Sequence, residues 1–318
     1  MNIVFMGTPN FSLPTLKQLY ESNHNIQLVV TQPNRPKGRG RESSAPPVKQ
    51  FALEKGLTVL QPEQFTNPEV VNTLRELNAD VFIVVAFGQI LKENLINLPR
   101  HFCINLHASI LPKYRGAAPI NWAIINGETE TGVTTMKMDT RLDTGDILFT
   151  SKVPIKPEDD AQSLHNSLAD KGASLVLETL RQLDAGTLRP IPQDSNLSSY
   201  APKLNKEDGL IHWDDSALKI HNRVRGLSPW PGAFSYIGSR RFCICKTEIT
   251  TGDPLDRPGI IVRIADRGIE VGTRDGRIIV TEIQLEGKKR MGAKSFLAGN
   301  KLATGEKFDN QPCLEIPS

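Results

Sequence analysis

The stretch Asp80-Val-Phe-Ile-Val-Val-Ala-Phe87 is the densest apolar run of the chain, and it decides the fold class. Val81 to Val85 are hydrophobic at every position, with β-branched side chains on both faces of a strand. This composition is typical of a central strand in a parallel sheet, because both faces of such a sheet are covered. The run is also far shorter than the ~20 apolar residues that a membrane span requires. We therefore predict a buried central strand and no membrane segment.

Short apolar runs alternate with helical patterns around this strand. Strands are predicted at Ile3 to Met6, Ile26 to Thr31, Val81 to Ala86 and Phe102 to His107. Helices are predicted at Thr15 to Glu21, Pro47 to Glu54 and Pro68 to Leu77. Alternation of this kind indicates parallel βαβ units. The first half is thus predicted to be a Rossmann-like α/β domain with a mostly parallel, doubly wound sheet.

The second half follows a different pattern. A helix predicted at Ser163 to Leu183 ends near Gly186, and Thr187 to Ser199 is rich in Pro, Asp, Ser and Asn. Five short strands are then predicted at Ala233 to Ile237, Phe242 to Ile249, Gly259 to Ala265, Gly268 to Thr273 and Arg277 to Leu285. Strands without a long helix among them predict a small OB-like β barrel. We expect domains at 1–189 and 207–318, joined by a linker at 190–206.

Composition and the start of the chain suggest where the protein works. The 318 residues are 39% hydrophobic with a net charge of +3, which fits a folded chain of two domains but does not identify a partner. Asn2 to Met6 begins directly with an apolar strand, without the basic region, long apolar region and cleavage site of a signal peptide. We therefore expect a cytoplasmic protein.

Neither the cysteines nor the first loop carries a cofactor signature. Cys243 and Cys245 are two apart in a predicted strand and so share a face, and the four cysteines lack zinc-ligand spacing. Gly7-Thr-Pro-Asn-Phe11 follows the first strand but is not the G-x-G-x-x-G dinucleotide fingerprint. We predict no metal, and at most backbone N–H contacts to a substrate from this loop.

The strongest candidate site is Asn105-Leu-His107-Ala-Ser-Ile-Leu-Pro112-Lys-Tyr-Arg-Gly116. Asn105 and His107 stand two apart at the end of a predicted strand, so they share a face at the edge where open α/β sheets bind ligands. An Asn amide donates to a carbonyl oxygen, and a His moves a proton or steadies an oxyanion, as acyl or formyl transfer requires. Asp143 is the candidate third group. Taken singly, each residue is better explained by a structural role.

These strings resemble the 10-formyltetrahydrofolate-dependent formyltransferases. The similarity is carried by Asn105, by His107 to Ile120 and by Leu142-Asp-Thr-Gly-Asp-Ile-Leu148. It continues nearly end to end, through Val4 to Phe11, Arg35 to Arg41, Ala201 to Lys206 and Val224 to Gly232. One departure is Arg141, where family members usually carry Gly. Arg would be unfavourable there if the position required a positive φ, and an exposed, tolerant turn is the alternative.

The resemblance implies a formyl transfer that uses 10-formyltetrahydrofolate as co-substrate and no metal. The implied catalytic residues are Asn105 and His107, which hold the oxyanion, and Asp143, which faces His107 and assists proton removal. The implied folate contacts are Ser109, Ile110, Leu111 and Pro112, with Phe87, Gly88, Gln89, Ile90 and Leu91.

The basic segment Pro33 to Arg41 favours a nucleic acid as the acceptor. Four cations interleaved with glycine and free of acidic residues can follow phosphates, although charge runs are more often solvated loops. The resemblance implies that the acceptor is the amine of methionyl-initiator-tRNA and that this segment enters the acceptor stem; we expect the protein to be a monomer. The candidate tRNA-binding residues are Arg35, Lys37, Arg39, Arg41, Lys206, Lys288, Lys289 and Arg290.

Two alternatives stay open. The same three catalytic residues occur in formyltransferases that act on a nucleotide-linked amino sugar, although the resemblance implies that those enzymes lack the basic, glycine-rich segment. The other alternative is a noncatalytic RNA-binding module, against which the intact Asn105, His107 and Asp143 argue.

Overall fold

The computed structural model describes residues 1–37, 42–253 and 255–312. The chain divides into two compact units, which we call the N-terminal and C-terminal units. The N-terminal unit comprises Met1–Pro119, Glu130–Pro154 and His165–Ala201. The C-terminal unit comprises Ile120–Thr129, Ile155–Leu164 and Pro202–Ser318.

Within the described residues, the N-terminal unit contains eleven strands and all or part of six α-helices. The strands are β1 Asn2–Gly7, β2 Asn25–Val30, β3 Arg35–Lys37, β4 Glu42–Ser44, β5 Val59–Leu60, β6 Val81–Val85, β7 Cys103–His107, β8 Arg115–Gly116, β9 Glu130–Lys137, β10 Ile147–Pro154 and β11 Tyr200–Ala201. The helices are α1 Leu13–Glu21, α2 Pro47–Glu54, α3 Pro68–Glu76, α4 Glu93–Ile96, α5 Pro119–Ile125 and α6 Ala161–Asp184. α5 continues into a segment of the C-terminal unit, and α6 begins in one.

The main sheet has seven strands in the order β10-β9-β7-β6-β1-β2-β5. β5, β2, β1, β6 and β7 are parallel, while β9 and β10 are antiparallel at one edge. Every residue of β6 is buried, as the apolar stretch Asp80 to Phe87 predicts. The chain passes from β1 to β2 on one side and returns to β6 on the other. The carboxyl ends of β1 and β6 therefore form a topological switch point, where open sheets bind ligands.

The edge strands β9 and β10 lie outside the sequence predictions. β9 reads Glu-Thr-Gly-Val-Thr-Thr-Met-Lys, and all but its terminal residues are buried. Two of its buried threonines form hydrogen bonds, from Thr134 Oγ1 to the Ser109 carbonyl (2.7 Å) and between the hydroxyls of Thr135 and Thr179 (2.8 Å). Hydropathy misses such a strand because its burial depends on side-chain hydrogen bonds rather than on apolar residues.

Besides parts of α5 and α6, the described part of the C-terminal unit contains α7, α8 and six strands. These elements are α7 Ala217–Gly226, β12 Ala233–Ile237, β13 Arg240–Thr250, β14 Ile261–Ala265, β15 Gly268–Gly272, β16 Arg277–Leu285, β17 Met291–Gly292 and α8 Ala293–Gly299. The strand order is β12-β13-β16-β15-β14, with β17 on β16, and all pairs are antiparallel. The five predicted strands and the antiparallel β domain are thereby confirmed.

Residues 305–309 join the two edges of this sheet. Asp309 bridges to Tyr236 of β12, and Lys307 bridges to Ile260 beside β14. The closed sheet encloses an aromatic core in which the Phe242 ring lies 6.0 Å from that of Phe296 and 5.9 Å from that of Phe308. The edges that would otherwise expose unpaired backbone groups are in this way paired.

No helix within the described ranges has both the length and the hydrophobicity needed to cross a membrane.

Candidate active site

β7 carries Asn105 and His107 to the edge of the main sheet. The Asn105 backbone lies between Val84 of β6 and Met136 of β9. The Asn105 side chain is half-buried, and its amide has no hydrogen bond to any other residue that the structure describes. His107, two residues further on, is only 6% exposed. The strand therefore presents a partnerless amide donor and a buried imidazole on one face, as the spacing of two predicts.

Both nitrogens of the His107 ring face oxygen atoms. Nε2 donates to the Tyr114 carbonyl at 2.9 Å, and Nδ1 lies 3.7 Å from Asp143 Oδ2. A neutral ring has one N–H, whereas the doubly protonated ring could donate in both directions. The separation of 3.7 Å is longer than a direct hydrogen bond, and such contacts tighten in many active sites when substrate binds. The structure thus brings the three predicted catalytic residues to one site. His107 and Asp143 face each other there, and Asn105 lies beside them.

Asp143 is held in a left-handed turn between β9 and β10. Its φ of 53° is uncommon for any residue other than Gly, and its Oδ2 accepts the Gly116 backbone N–H at 2.9 Å. Two residues later a Cβ on Gly145 would lie 1.7 Å from the Lys137 carbonyl oxygen, so only Gly fits. The turn is further fixed by Thr144, whose hydroxyl donates to the Asp139 carboxylate.

Three residues around the site adopt positive φ without being Gly. They are Ala86 after β6 (44°), Tyr114 (59°) and Asp143 (53°). Backbone strain of this kind costs about 1–3 kcal/mol per residue and is concentrated at functional sites. Arg141 is not one of them. It is exposed, and its backbone N–H donates to Asp139 Oδ1 at 3.0 Å, so the departure from the family pattern falls in a tolerant turn.

The sequence assigned no role to three residues that support the site. Tyr114 supplies the carbonyl for His107, and Gly116 supplies the N–H for Asp143. Gln193 donates to the carbonyl oxygens of Asp143 (3.0 Å) and Gly145 (2.7 Å). Because these contacts use backbone groups or join distant segments, no residue type at a fixed spacing announces them.

The implied folate residues occupy two loops with different exposure. After β6, Phe87 and Leu91 are buried, Gly88 has a φ of 80°, Gln89 is half-exposed and Ile90 is 83% exposed. After β7, Ile110 and Pro112 are half-exposed, while Ser109 and Leu111 are buried. The Ser109 hydroxyl donates to the Lys113 carbonyl at 2.6 Å, so this side chain shapes its own loop.

The loops after β1 and β6 are tied together at the switch point. The Phe87 carbonyl accepts from Thr8 Oγ1 (3.1 Å) and from Gln32 Nε2 (2.9 Å), and the Val85 carbonyl accepts from Ser12 Oγ (2.6 Å). A Cβ on Gly7 would lie 2.7 Å from Ser12 Cβ, which explains a glycine directly after β1. The loop Gly7 to Phe11 thus supports the predicted folate loop.

The basic candidates fall in both units. Arg35 is exposed at the start of β3, which pairs with β4 as a hairpin; the Lys37 side chain, Arg39 and Arg41 lie outside what the structure describes. Lys206, Lys288 and Lys289 are exposed in the C-terminal unit. Arg290 Nε donates to Glu282 Oε2 at 2.6 Å, so its charge is partly compensated.

Across the described ranges, no group of three or more His, Cys, Asp or Glu side chains could hold a metal ion. Cys243 and Cys245 lie on β13, and burial raises the pKa of Cys245 to about 11 and also raises the pKa of Cys243. Burial likewise raises the pKa of the Cys103 thiol on β7. Thiols with such raised pKa values are poor nucleophiles at neutral pH.

The fold and the site together match one class of protein. Residues 1–180 match the model of the formyl transferase family, and residues 203–301 match the model of the formyl transferase C-terminal domain. The chain therefore belongs to the formyl transferase family.

Similar relatives define the branch of that family. The methionyl-tRNA formyltransferase of Geobacter metallireducens is 52% identical over 305 residues, which cover 96% of this chain and 97% of the relative. The methionyl-tRNA formyltransferase of Geobacter sulfurreducens is 48% identical over 317 residues, 99% of each chain. These relatives place the chain among the methionyl-tRNA formyltransferases.

A solved structure supports the fold. WlaRD, a sugar 3N-formyl transferase crystallised in the presence of dTDP and 5-N-formyl-THF, superposes with a TM-score of 0.66. The match covers 91% of this chain and 99% of that chain at 21% sequence identity. At this identity the likeness extends to the fold alone.

Proposed function

We propose that the chain transfers the formyl group of 10-formyltetrahydrofolate to the α-amine of methionyl-initiator-tRNA, giving formylmethionyl-tRNA for translation initiation. The observation that carries the proposal is the partnerless Asn105 amide beside the His107–Asp143 pair, at the carboxyl edge of the sheet. The relatives of about half identity supply the acceptor. Translation initiation is a cytoplasmic process, so we assign the chain to that compartment.

In the proposed mechanism the neutral amine attacks the formyl carbon, and a C–N bond forms while the carbonyl oxygen becomes an oxyanion. The Asn105 amide donates to this oxyanion, and the His107 ring, held between Tyr114 and Asp143, stabilises it electrostatically, because groups already in place cost no reorganisation. Asp143 accepts the amine proton through water. The tetrahedral centre then collapses, the bond to the folate nitrogen breaks, and that nitrogen takes up, through water, the proton that Asp143 accepted.

Hydrogen bonds to His107 and Asp143 support these roles. The Tyr114 carbonyl holds Nε2, so Nδ1 is the ring nitrogen that remains directed toward Asp143. The Gly116 N–H occupies one lobe of Asp143 Oδ2 and orients the carboxylate. Positioning and electrostatics supply most of the rate in this scheme, with no covalent enzyme intermediate.

We propose that the loops after β6 and β7 bind the folate. Gln89, Ile90, Ile110 and Pro112 are the accessible members and would touch it directly. Phe87, Leu91 and Leu111 are buried and would shape the loops from beneath, with the Phe87 ring 5.2 Å from that of Phe65. Gly88 and Ser109 complete the set through backbone conformation and an internal hydrogen bond.

We further propose that the basic residues bind tRNA phosphates, with 1–189 as the catalytic domain, 190–206 as the linker and 207–318 as the tRNA-binding domain. The exposure of Arg35, Lys206, Lys288 and Lys289 favours this, because solvated cations release counterions when they meet phosphate. Arg290 contributes less, since Glu282 already pairs with it.

The test is single-turnover transfer of labelled formyl to methionyl-tRNA by the parent chain and by His107→Ala and Asp143→Ala. We expect the parent to form formylmethionyl-tRNA and each variant to slow transfer by about 100-fold or more, with tRNA affinity retained. A parent that binds tRNA without transfer would instead support the noncatalytic alternative.

A further inference from the structure

We propose that Gln193 is a positioning residue for formyl transfer, and that it acts by holding Asp143 in its left-handed turn. The inference rests on the proposed function, because it concerns a group that we assign to catalysis. Gln193 lies 50 residues from Asp143, on a segment that follows α6 and carries no recognisable motif.

All the hydrogen-bonding capacity of the Gln193 amide is used at this one place. Nε2 donates to the carbonyl oxygens of Asp143 (3.0 Å) and Gly145 (2.7 Å). Oε1 accepts from Arg115 Nε (3.1 Å) and Nη2 (2.8 Å). A glutamine amide has two N–H groups and two acceptor lone pairs, so a side chain with two donors and two acceptors is required.

The two sets of contacts join the segments that support the catalytic pair. The Asp143 turn supplies the carboxylate. Arg115 lies between Tyr114, whose carbonyl accepts from His107, and Gly116, whose N–H donates to Asp143. Gln193 therefore ties the orientation of the His107 ring to that of the Asp143 carboxylate through one amide.

The segment around Gln193 is itself anchored within the N-terminal unit. Ile191 exchanges two backbone hydrogen bonds with Ile147 (2.8 and 2.9 Å). Ile147 is the first residue of β10 and follows Gly145 by two residues. Ser199 accepts from both Tyr114 N (through Oγ, 2.9 Å) and Arg115 N (through its carbonyl, 2.9 Å), and β11 pairs with β8. Residues 191–201, which make up most of the expected linker, thus contact both the segment that carries the Asp143 turn and the segment Tyr114 to Gly116.

Asp143 requires such a support for a physical reason. Its φ of 53° is disfavoured for a non-glycine residue and persists only where surrounding contacts over-determine it. Gly116 holds the carboxylate end, and Gln193 holds the backbone end. Without the backbone contact the turn can relax, and a displacement of about 1 Å at a reacting group costs on the order of 100-fold in rate.

The experiment compares Gln193→Ala and Gln193→Glu with the parent. Glu keeps the acceptor for Arg115 but places a carboxylate against two carbonyl oxygens, so it breaks only the contact to the turn. Gln27→Ala is the matched control, because Gln27 is also half-buried and donates to one backbone carbonyl, that of Leu77 (2.9 Å), away from the site.

We expect both Gln193 variants to lower kcat by about 10- to 100-fold with KM for folate and tRNA nearly unchanged, and Gln27→Ala to have parental kcat. A Gln193→Glu variant with parental kcat would overturn the inference. In the Asp143→Ala background we expect Gln193→Ala to cause no further loss, because residues that act through one group are not additive. An equal loss in both backgrounds would also overturn it.

Hydrogen exchange separates this inference from the proposed function. We expect the amides of residues 139–146 to exchange faster in Gln193→Ala than in the parent or in Gln27→Ala. Unchanged exchange in the turn overturns the inference even if the parent transfers formyl. Faster exchange, together with the loss of kcat, supports it even if the acceptor of the formyl group proves to be different.

Discussion

The left-handed backbone conformation of Asp143 determines much of the geometry of the candidate site. Its left-handed backbone is enforced from both sides, by Gly116 and Gln193, and by a following glycine that no other residue can replace. If Asp143 takes part in proton transfer as we propose, this strain fixes the carboxylate before substrate arrives.

Gly145→Ala tests this reading of the turn. A Cβ would lie 1.7 Å from the Lys137 carbonyl, so the turn must shift and take Asp143 with it. We expect kcat to fall at least about 10-fold and the free energy of unfolding to fall by about 1–3 kcal/mol. Gly299→Ala, where a Cβ meets nothing within 4 Å, is the control in turnover and thermal-unfolding measurements. Parental turnover in Gly145→Ala would contradict the account.

Asn105→Leu tests the oxyanion contact. Leu has nearly the same shape but no N–H, so only the donor is lost. Since removing one such donor costs about 100- to 1,000-fold, we expect kcat to fall by that factor while KM for folate changes little. Steady-state kinetics at saturating tRNA would measure this. A rise in KM with parental kcat would make Asn105 a binding residue instead.

At this scale the sequence predicts part of the site. Asn105 and His107 follow from the period of two on a strand, and Asp143 follows from its acidic, glycine-containing loop together with the family resemblance. Gln193 could not be predicted, because its partners are backbone carbonyls about 50 residues away and such contacts leave no mark on neighbouring residue types. Whether Arg141 has a positive φ could be decided only from the backbone dihedral angles of the structure.

Among the elements, the predicted strands are confirmed wherever an apolar run is covered on both faces or alternates regularly. β9 and β10 could not be predicted, because threonine hydroxyls that pair internally make β9 look polar. α7 and α8 lie outside the sequence predictions, and α8, with seven residues, is too short to show a clear helical period.

α7 gives a prediction about pH. Burial and, less strongly, Arg225 lower the pKa of His221, whose Nδ1 lies 2.9 Å from Thr247 Oγ1. The unfolded chain therefore binds more protons than the folded chain as pH falls through about 6.5, and stability is lost in that direction. We expect the midpoint of thermal unfolding to drop less on acidification in His221→Gln than in the parent. Equal drops in the two proteins would exclude a contribution from His221.

The β3–β4 hairpin and its connection give a prediction about salt. Arg39 and Arg41 lie outside the described residues, and we propose that they contact phosphates. Replacing both with Ala should reduce the slope of log affinity for tRNA against log salt by about one to two. Lys152→Ala with Arg181→Ala removes the same charge from existing ion pairs and should leave the slope unchanged. An unchanged slope in the arginine variant would indicate a solvated loop.

For the whole molecule, the chain consists of an α/β unit with the candidate active site and an antiparallel unit closed by residues 305–309. The division into two kinds of sheet could be predicted from the change in hydrophobic pattern. The sequence also predicts a small barrel, but not that residues 305–309 close it, because this short segment pairs with two distant strands.

The identity of the acceptor is the central claim. The fold and the three proposed catalytic residues are compatible with an amino-sugar substrate, since a sugar 3N-formyl transferase shares the fold. Fold alone does not distinguish the two. The distinction rests on relatives of about half identity and on the exposed cations.

The most direct test is transfer of labelled formyl from 10-formyltetrahydrofolate with methionyl-tRNA, free methionine and a nucleotide-linked amino sugar offered in parallel. We predict that the label appears on methionyl-tRNA alone. Label on the amino sugar, or release of free formate only, would contradict the account.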